Sequence, residues 1–285
     1  MLYWVAQHPA IVIFVMFIVI AGIEAMRGLL RSPYATPEDA PLETVITLLL
    51  GAVIYPGVLM LVGYLAQHYT PNLAGSLSQL PIWLMIVLLL IGDDMTQYWW
   101  HRASHTSLLW PLHRAHHSAP HMGIRVVYRN NFFYYVMMPG LWISAYLSFL
   151  GLGPVYPWYV LTKTLVLFGS HSELRWDQFL YRWRWLHPLA WIVERTISTP
   201  ATHFAHHAIT QDDGIGHYKG NYGNLLFFWD VLFGTAKITR QYPLRVGLKD
   251  DLEHGAERWW VQLLYPIVKS QRPQSALAKQ ATIVE

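Results

Sequence analysis

The chain has 285 residues, of which 54% are hydrophobic and only 13% charged, with a formal charge of +3. Soluble domains carry about a quarter charged residues, so this is the composition of a membrane protein, and the small positive excess reads as topology rather than nucleic-acid binding. Cysteine is absent while histidine occurs 15 times, which excludes disulfides, thiolate ligands and iron–sulfur clusters and leaves histidine, carboxylate and water to hold any metal.

Five apolar segments are expected to cross a bilayer. The first, Pro9–Arg27, contains the run Ala10–Ile23 and is flanked by Leu2–Val5. No Lys or Arg precedes it and no small-residue cleavage site follows Ile20, so it reads as an anchor rather than a signal peptide. Thr44–Gln67 and Leu80–Trp100 follow; Trp83, Tyr98, Trp99 and Trp100 lie near the ends of the latter, where amphipathic rings prefer the interface. Phe132–Leu150 and Pro154–Gly169 are shorter, carry polar residues and read as a hairpin turned at Gly151-Leu152-Gly153-Pro154.

Basic residues set the direction. Gln67–Leu80 and Gly151–Tyr159 contain none, Arg27 and Arg31 lie in the first loop, Arg102, Arg114, Arg125 and Arg129 lie between the third and fourth spans, and thirteen of the twenty follow His171. The N-terminus is then outside and the C-terminus cytoplasmic. The expected location is a bacterial inner membrane with the active site on the cytoplasmic side. Residues 1–79 form an N-terminal membrane region, 80–240 the catalytic region and 241–285 a cytoplasmic segment with a short apolar stretch at Trp259–Val268. The tail after Lys269 has no structural signal and is expected to be mobile.

Three histidine boxes stand at the membrane ends. His101-Arg-Ala-Ser-His105 continues the third apolar helix; His113-Arg-Ala-His116-His117 and His203-Phe-Ala-His206-His207 share one spacing. Residues three and four apart share a helix face, so imidazoles at such spacing reach one metal. Adjacent histidines diverge by about 100° on a helix, so one box can serve two neighbouring ions. A lone histidine pair is as readily a cap or interface pair; eight imidazoles in three boxes would each need other partners for both nitrogens. His171, at the exit of the fifth segment, is a further expected ligand, and so is His187. His121 and His217 read as supporting or substrate-facing residues, whereas His8, His68 and His254 have no such context.

Asp93 and Asp94 lie inside the third segment, where charge is costly unless paired or used. Asp94, seven residues before His101, is expected to orient it or another ligand. Glu173 and Asp177 are weaker candidates. Lys163 lies inside the fifth segment, where it snorkels, pairs with a carboxylate or lines a pocket. Asn130–Met138 and Tyr218–Phe228 are candidate pocket walls. Arg182, Arg184, Arg195, Lys237, Arg240 and Arg245 make the C-terminal half basic, a surface suited to an acidic electron carrier.

Nitrogen donors suit iron, zinc, nickel or copper. A thermolysin-type zinc hydrolase needs Glu beside the first histidine of a box; Arg102, Arg114 and Phe204 stand there instead. A redox-active pair of ions that activates dioxygen is therefore placed ahead of a zinc hydrolase or isomerase, and both ahead of a non-catalytic metal-binding protein.

In order and spacing, His101-Arg102-x-x-His105, Leu112-His113-x-x-His116-His117-Ser118, His171-Ser172, Thr199-Pro200-x-x-His203-x-x-His206-His207, Asn221-Tyr222-Gly223 and Trp229-Asp230-x-Leu232-Phe233-Gly234-Thr235 resemble the fatty acid hydroxylase and sterol desaturase superfamily of membrane di-iron enzymes. Tyr98-Trp99-Trp100-His101-Arg102 and the final block look most like its sterol desaturase and alkylglycerol monooxygenase branches. The resemblance spans about residues 80–240. It implies an all-α integral membrane protein, here of four to five transmembrane helices, capped by a cytoplasmic helical histidine-rich domain. It also implies a two-iron centre using O2 to hydroxylate or desaturate a lipid C–H bond. The expected ligands are His101, His105, His113, His116, His117, His171, His203, His206 and His207. For a tenth the chain offers only His187, without the partner four residues away found in the fatty acid hydroxylases. Asp94, His121, Asn221 and Asp230 are the candidate catalytic residues. The chain leaves no room for a fused haem module, so the expected partners are a membrane lipid and a separate cytochrome b5-like or ferredoxin-like donor with its reductase.

Overall fold

The structure, a computed structural model, describes residues 2–278. It is helical throughout; among the described residues the β pairings are isolated bridges, Ile197–Leu226, Ala208–Val246 and Ser270–Ala278. A short helix α1 (Leu2–Gln7) precedes α2 (Pro9–Met26), where Pro9 occupies a first-turn position that needs no N–H donor. α3 (Asp39–Tyr69), α4 (Ile82–Ser104), the amphipathic α5 (Trp110–His117) and α6 (Phe132–Leu152) follow. Of these α2, α3, α4 and α6 are long and apolar enough to cross a membrane. Their outward faces carry Phe14, Leu48, Met60, Ile82 and Met137, each more than half exposed. Helices that are apolar on every side belong in lipid, and the chain is a multi-pass membrane protein.

The expected fifth span is α7 (Tyr156–His171), of 16 residues. At 1.5 Å per residue it is about 24 Å long, short of a hydrocarbon layer of about 30 Å. It still returns across the bundle: Val155 and Tyr156 pack with Leu77 and Leu80 at the end away from the histidines, and its last residue is His171. The second span begins at Asp39, earlier than the expected Thr44, because the carboxylates of its first two turns are neutralised. Arg129 Nη1 reaches Asp39 Oδ1 at 2.6 Å and Glu43 Oε1 at 3.4 Å, all three groups buried.

Within α4 the turn Leu90–Met95 widens to π-helical geometry, and both Asp93 and Asp94 are buried. Lys163 Nζ and Tyr159 Oη both donate to Asp93 Oδ2, at 2.7 and 2.9 Å, fastening α7 to α4. Lys163 therefore pairs with a carboxylate. Gly140 of α6 lies over Asp93, where an added Cβ would stand 2.6 Å from Oδ1, so close helix packing requires glycine there.

After α7 come α8 (Gln178–Arg182), α9 (His187–Thr196), α10 (Pro200–His206), α11 (Phe228–Phe233), α12 (Lys249–His254) and α13 (Trp259–Leu264). The apolar stretch at Trp259–Val268 docks beside the second histidine box: Ser118 Oγ donates to Gln262 Oε1, and Asn131 Nδ2 donates to the carbonyls of Gln262 and Tyr265. The segment after Lys269 departs from expectation. Ser270 donates to the Glu257 carboxylate and Leu277 is buried. The rest of that tail lies outside the described residues.

Candidate metal centre

α10 starts where Thr199 and Thr202 form a reciprocal capping box with Pro200 in the first turn, and Asp177 Oδ2 accepts the Ala201 N–H at 2.8 Å. This start aims His203, His206 and His207 at the box on α5 and at the ends of α4 and α7. Nine imidazoles meet in two groups, each with ligand atoms within 4.8 Å of one another: His101, His105, His113, His117 and His206 in one, His116, His171, His203 and His207 in the other. Each adjacent pair is divided between them. The groups adjoin, since the His117 and His207 rings stack with centroids 4.3 Å apart.

Backbone carbonyls fix the ring orientations. Nδ1 of His101 donates to the Tyr222 carbonyl and Nδ1 of His206 to that of Gly220, both at 2.7 Å. His171 Nδ1 donates to the Leu167 carbonyl at 2.8 Å and His116 Nδ1 to that of Arg129 at 3.0 Å. A carbonyl only accepts, so these rings carry their proton on Nδ1 and present bare Nε2 atoms.

The donor set fits a metal. His101 Nε2 and His206 Nε2 face each other at 3.0 Å, two lone pairs with no donor between them. Two ligands at right angles on an ion about 2.1 Å away stand about 3.0 Å apart. His203 Nε2 and His171 Nε2 repeat the contact at 2.9 Å. Nε2 of His105, His113, His117 and His207 has no partner, although buried; each such group costs about 1–3 kcal/mol unless something binds it. Burial holds His113, His116, His117, His203, His206 and His207 well below the ordinary imidazole range, in the neutral form that ligates. Among the described residues neither group contains a carboxylate.

Asn221, Asp230 and Asp94 do not face the ligand atoms; they hold the loop that supplies the carbonyls. Asp230 accepts the N–H groups of Tyr222 and Gly223 at 2.8 and 2.6 Å and the Thr235 hydroxyl at 2.6 Å. Asn221, at φ 57°, donates to the Thr202 and Lys237 carbonyls. Asp94 accepts the N–H groups of Leu225 and Leu226 and the Trp229 indole. It therefore positions this loop rather than His101 directly.

His187 lies outside both groups, its Nε2 donating to the Tyr181 carbonyl at 3.0 Å, because its place at the start of α9 turns it toward α8. His121 stands 2.9 Å from Glu43 and His217 3.1 Å from the Thr235 carbonyl. Asp177 is tied to Tyr242 and Ala201, and Glu173 to Arg175. From the candidate walls, Tyr134 stacks on His113 at 4.9 Å and Tyr222 lies 5.2 Å from His105.

Glu24 and Arg129 carry supporting roles that sequence reasoning missed. Glu24 accepts the N–H groups of Ile124 and Glu173 and the Ser172 hydroxyl beside His171. Arg129 offers its carbonyl to His116 while its guanidinium donates to the Ala115 carbonyl and Ser118. A buried carboxylate late in an apolar anchor was the available signal for Glu24.

Loading metal-free protein with Fe(II) or Zn(II) is expected to raise its unfolding temperature. A ligand at 1,000 times its Kd adds about 4 kcal/mol. Calorimetry with metal analysis checks this; unchanged unfolding with no uptake would reject the site.

Residues 86–235 match the family model described as fatty acid hydroxylase. Three curated relatives carry the name alkylglycerol monooxygenase. That of Xenopus tropicalis is 29% identical over 159 residues, covering 52% of this chain and 29% of its own length. That of Danio rerio is 30% identical over 152 residues, with the same coverages, and that of Homo sapiens 28% over 149, covering 51% and 29%. The matched part is thus less than a third of each relative. No solved structure matches the chain.

Proposed function

The chain belongs to the fatty acid hydroxylase family, and from that premise we propose that it is an iron- and O2-dependent oxidoreductase that hydroxylates or desaturates a C–H bond of a membrane lipid. The observation that carries this reading is the meeting of nine imidazoles in two adjoining groups at the ends of apolar helices. Two irons, one on each group, would supply reduction of dioxygen and oxidation of the C–H bond. The chain's own part is to present neutral imidazoles by their Nε2 atoms, keep the Nδ1 protons on carbonyls, and exclude water by burial. Tyr134 and Tyr222 flank the five-histidine group and are proposed to guide a chain arriving sideways from the bilayer.

The substrate is proposed to be a lipid with a long apolar chain. Of the sterol-like, hopanoid, carotenoid, fatty-acyl and ether-lipid classes, the similarity to alkylglycerol monooxygenases favours the last. Basic-residue placement supports a site on the cytoplasmic side of the membrane. Electrons are proposed to come from a separate acidic carrier. A cleft of about 290 Å³ is lined by Arg31, Arg175 and Arg245 and backed by Phe204 from within the third box; with Glu173 pairing Arg175, it keeps a positive excess for such a carrier.

The test compares total lipids from cells making the protein or its His203→Ala variant under isotopically labelled dioxygen. One new lipid with a labelled hydroxyl, or a new double bond that depends on dioxygen, is the expected result. Label confined to a water-soluble metabolite would overturn lateral entry, and a single redox-silent zinc retained through turnover would overturn the iron assignment.

A further inference from the structure

On the histidine side of the molecule, one surface is apolar outside the spanning helices. α8, α9 and the turn between them expose Phe179, Trp183, Trp185, Leu189, Trp191 and Ile192, at 44% to 73%. Their inward residues are Leu186, Ala190 and Glu194. Arg182 and Arg184 alternate with the first two tryptophans and are exposed, the Arg182 guanidinium standing 5.3 Å from the centre of the Trp183 ring. Scattered exposed apolar residues are ordinary, but a band of three tryptophans among leucine, isoleucine and phenylalanine is not.

The band joins a surface that already faces lipid. α9 packs against α11, which exposes Phe228, Val231 and Leu232. The Ile197–Leu226 bridge ties the end of α9 to the approach to α11. Phe233 of α11 lies 4.9 Å from Trp99, which is itself exposed in the last turns of the span α4. The apolar surface therefore runs from a membrane helix, over α11, to α9.

We propose that α8, α9 and α11 lie in the headgroup layer of the leaflet on the histidine side, with their tryptophan, phenylalanine and leucine side chains at the acyl boundary and Arg182 and Arg184 on anionic headgroups. Continuity with the spanning surface and the pairing of indole with arginine commit the face to lipid. The inference rests on the spanning helices and not on the proposed reaction. It gives Arg182 and Arg184 a lipid contact and leaves the carrier to the cleft at Arg31, Arg175 and Arg245. It also tethers to the bilayer the stretch that joins His171 to the third box.

The absence of cysteine makes the test direct. Trp185→Cys, Leu189→Cys and Ile192→Cys, with Asp212→Cys in an exposed loop as control, are each nitroxide-labelled in vesicles of phosphatidylcholine and phosphatidylglycerol. Spin relaxation by oxygen, which concentrates in the acyl region, is compared with relaxation by a water-soluble nickel chelate. Retained helical circular dichroism verifies each fold. The three band positions are expected to meet oxygen and be shielded from nickel, and Asp212→Cys the reverse. Shielding should weaken in phosphatidylcholine alone and with Arg182→Glu plus Arg184→Glu. Free nickel access at all three positions would overturn the proposal. So would shielding that fades as the protein is diluted in lipid, the mark of a second copy, or shielding that needs an added acidic carrier.

Discussion

His206→Ala is expected to abolish turnover and to empty the five-histidine group, while the four-histidine group still loads. His206 supplies the Nε2 that meets His101 Nε2 at 3.0 Å, and its Nδ1 is the donor to the Gly220 carbonyl. Truncation removes one ligand and leaves a buried carbonyl without its bond, a loss of about 1–3 kcal/mol beside the lost metal affinity. His203→Ala should show the mirror pattern, because His203 belongs to the other group. Metal per chain and lipid turnover, measured on the same preparations, check both variants. Full turnover with unchanged metal would remove these residues from the ligand set. His254→Ala is the control: that ring is exposed and bonded only to its own helix at Asp250, so an equal loss there would point to misfolding.

Asp230→Ala is expected to lower metal affinity at the five-histidine group by up to about 10–100-fold, the size seen when the groups that orient a ligand are lost. The carboxylate touches no histidine. It holds the N–H groups of Tyr222 and Gly223, and the Tyr222 carbonyl orients His101. Without it two buried N–H groups lose their acceptor, at about 1–3 kcal/mol each, and the loop is free to leave its position. Asp230→Asn keeps one acceptor oxygen and should fall between wild type and Asp230→Ala. Metal titration resolves a positioning role from a general loss of stability. Weakening confined to the five-histidine group supports positioning; equal weakening of both groups, or none, argues against it.

Much of this protein was legible before folding was considered. Apolar run length located the four long spans, because the bilayer fixes that length physically. The reading faltered at charged helix ends. The second span starts at Asp39 rather than Thr44 because Arg129 neutralises Asp39 and Glu43 from some ninety residues away, a partner that cannot be seen locally. The fifth segment, α7, is as short as its apolar run suggests, and composition does not show that the Lys163 within it is neutralised by Asp93 of α4. His187 looked like a ligand on proximity in sequence alone, and the start of α9 turns it to Tyr181.

The sequence by itself determined which residue type meets metal and in what local spacing. An i, i+3, i+4 pattern is a property of one helix and needs no partner to be read. It also established that neighbouring histidines in a box can serve different ions. Only the tertiary structure decided the division: His117 with His206, His116 with His207. That choice depends on the angle at which α5 and α10 meet, set by packing between segments some ninety residues apart. The carbonyls of Gly220, Tyr222 and Arg129 were likewise invisible in sequence, because every residue carries the same carbonyl. What makes these three matter is where Asp230, Asn221 and Asp39 hold the chain.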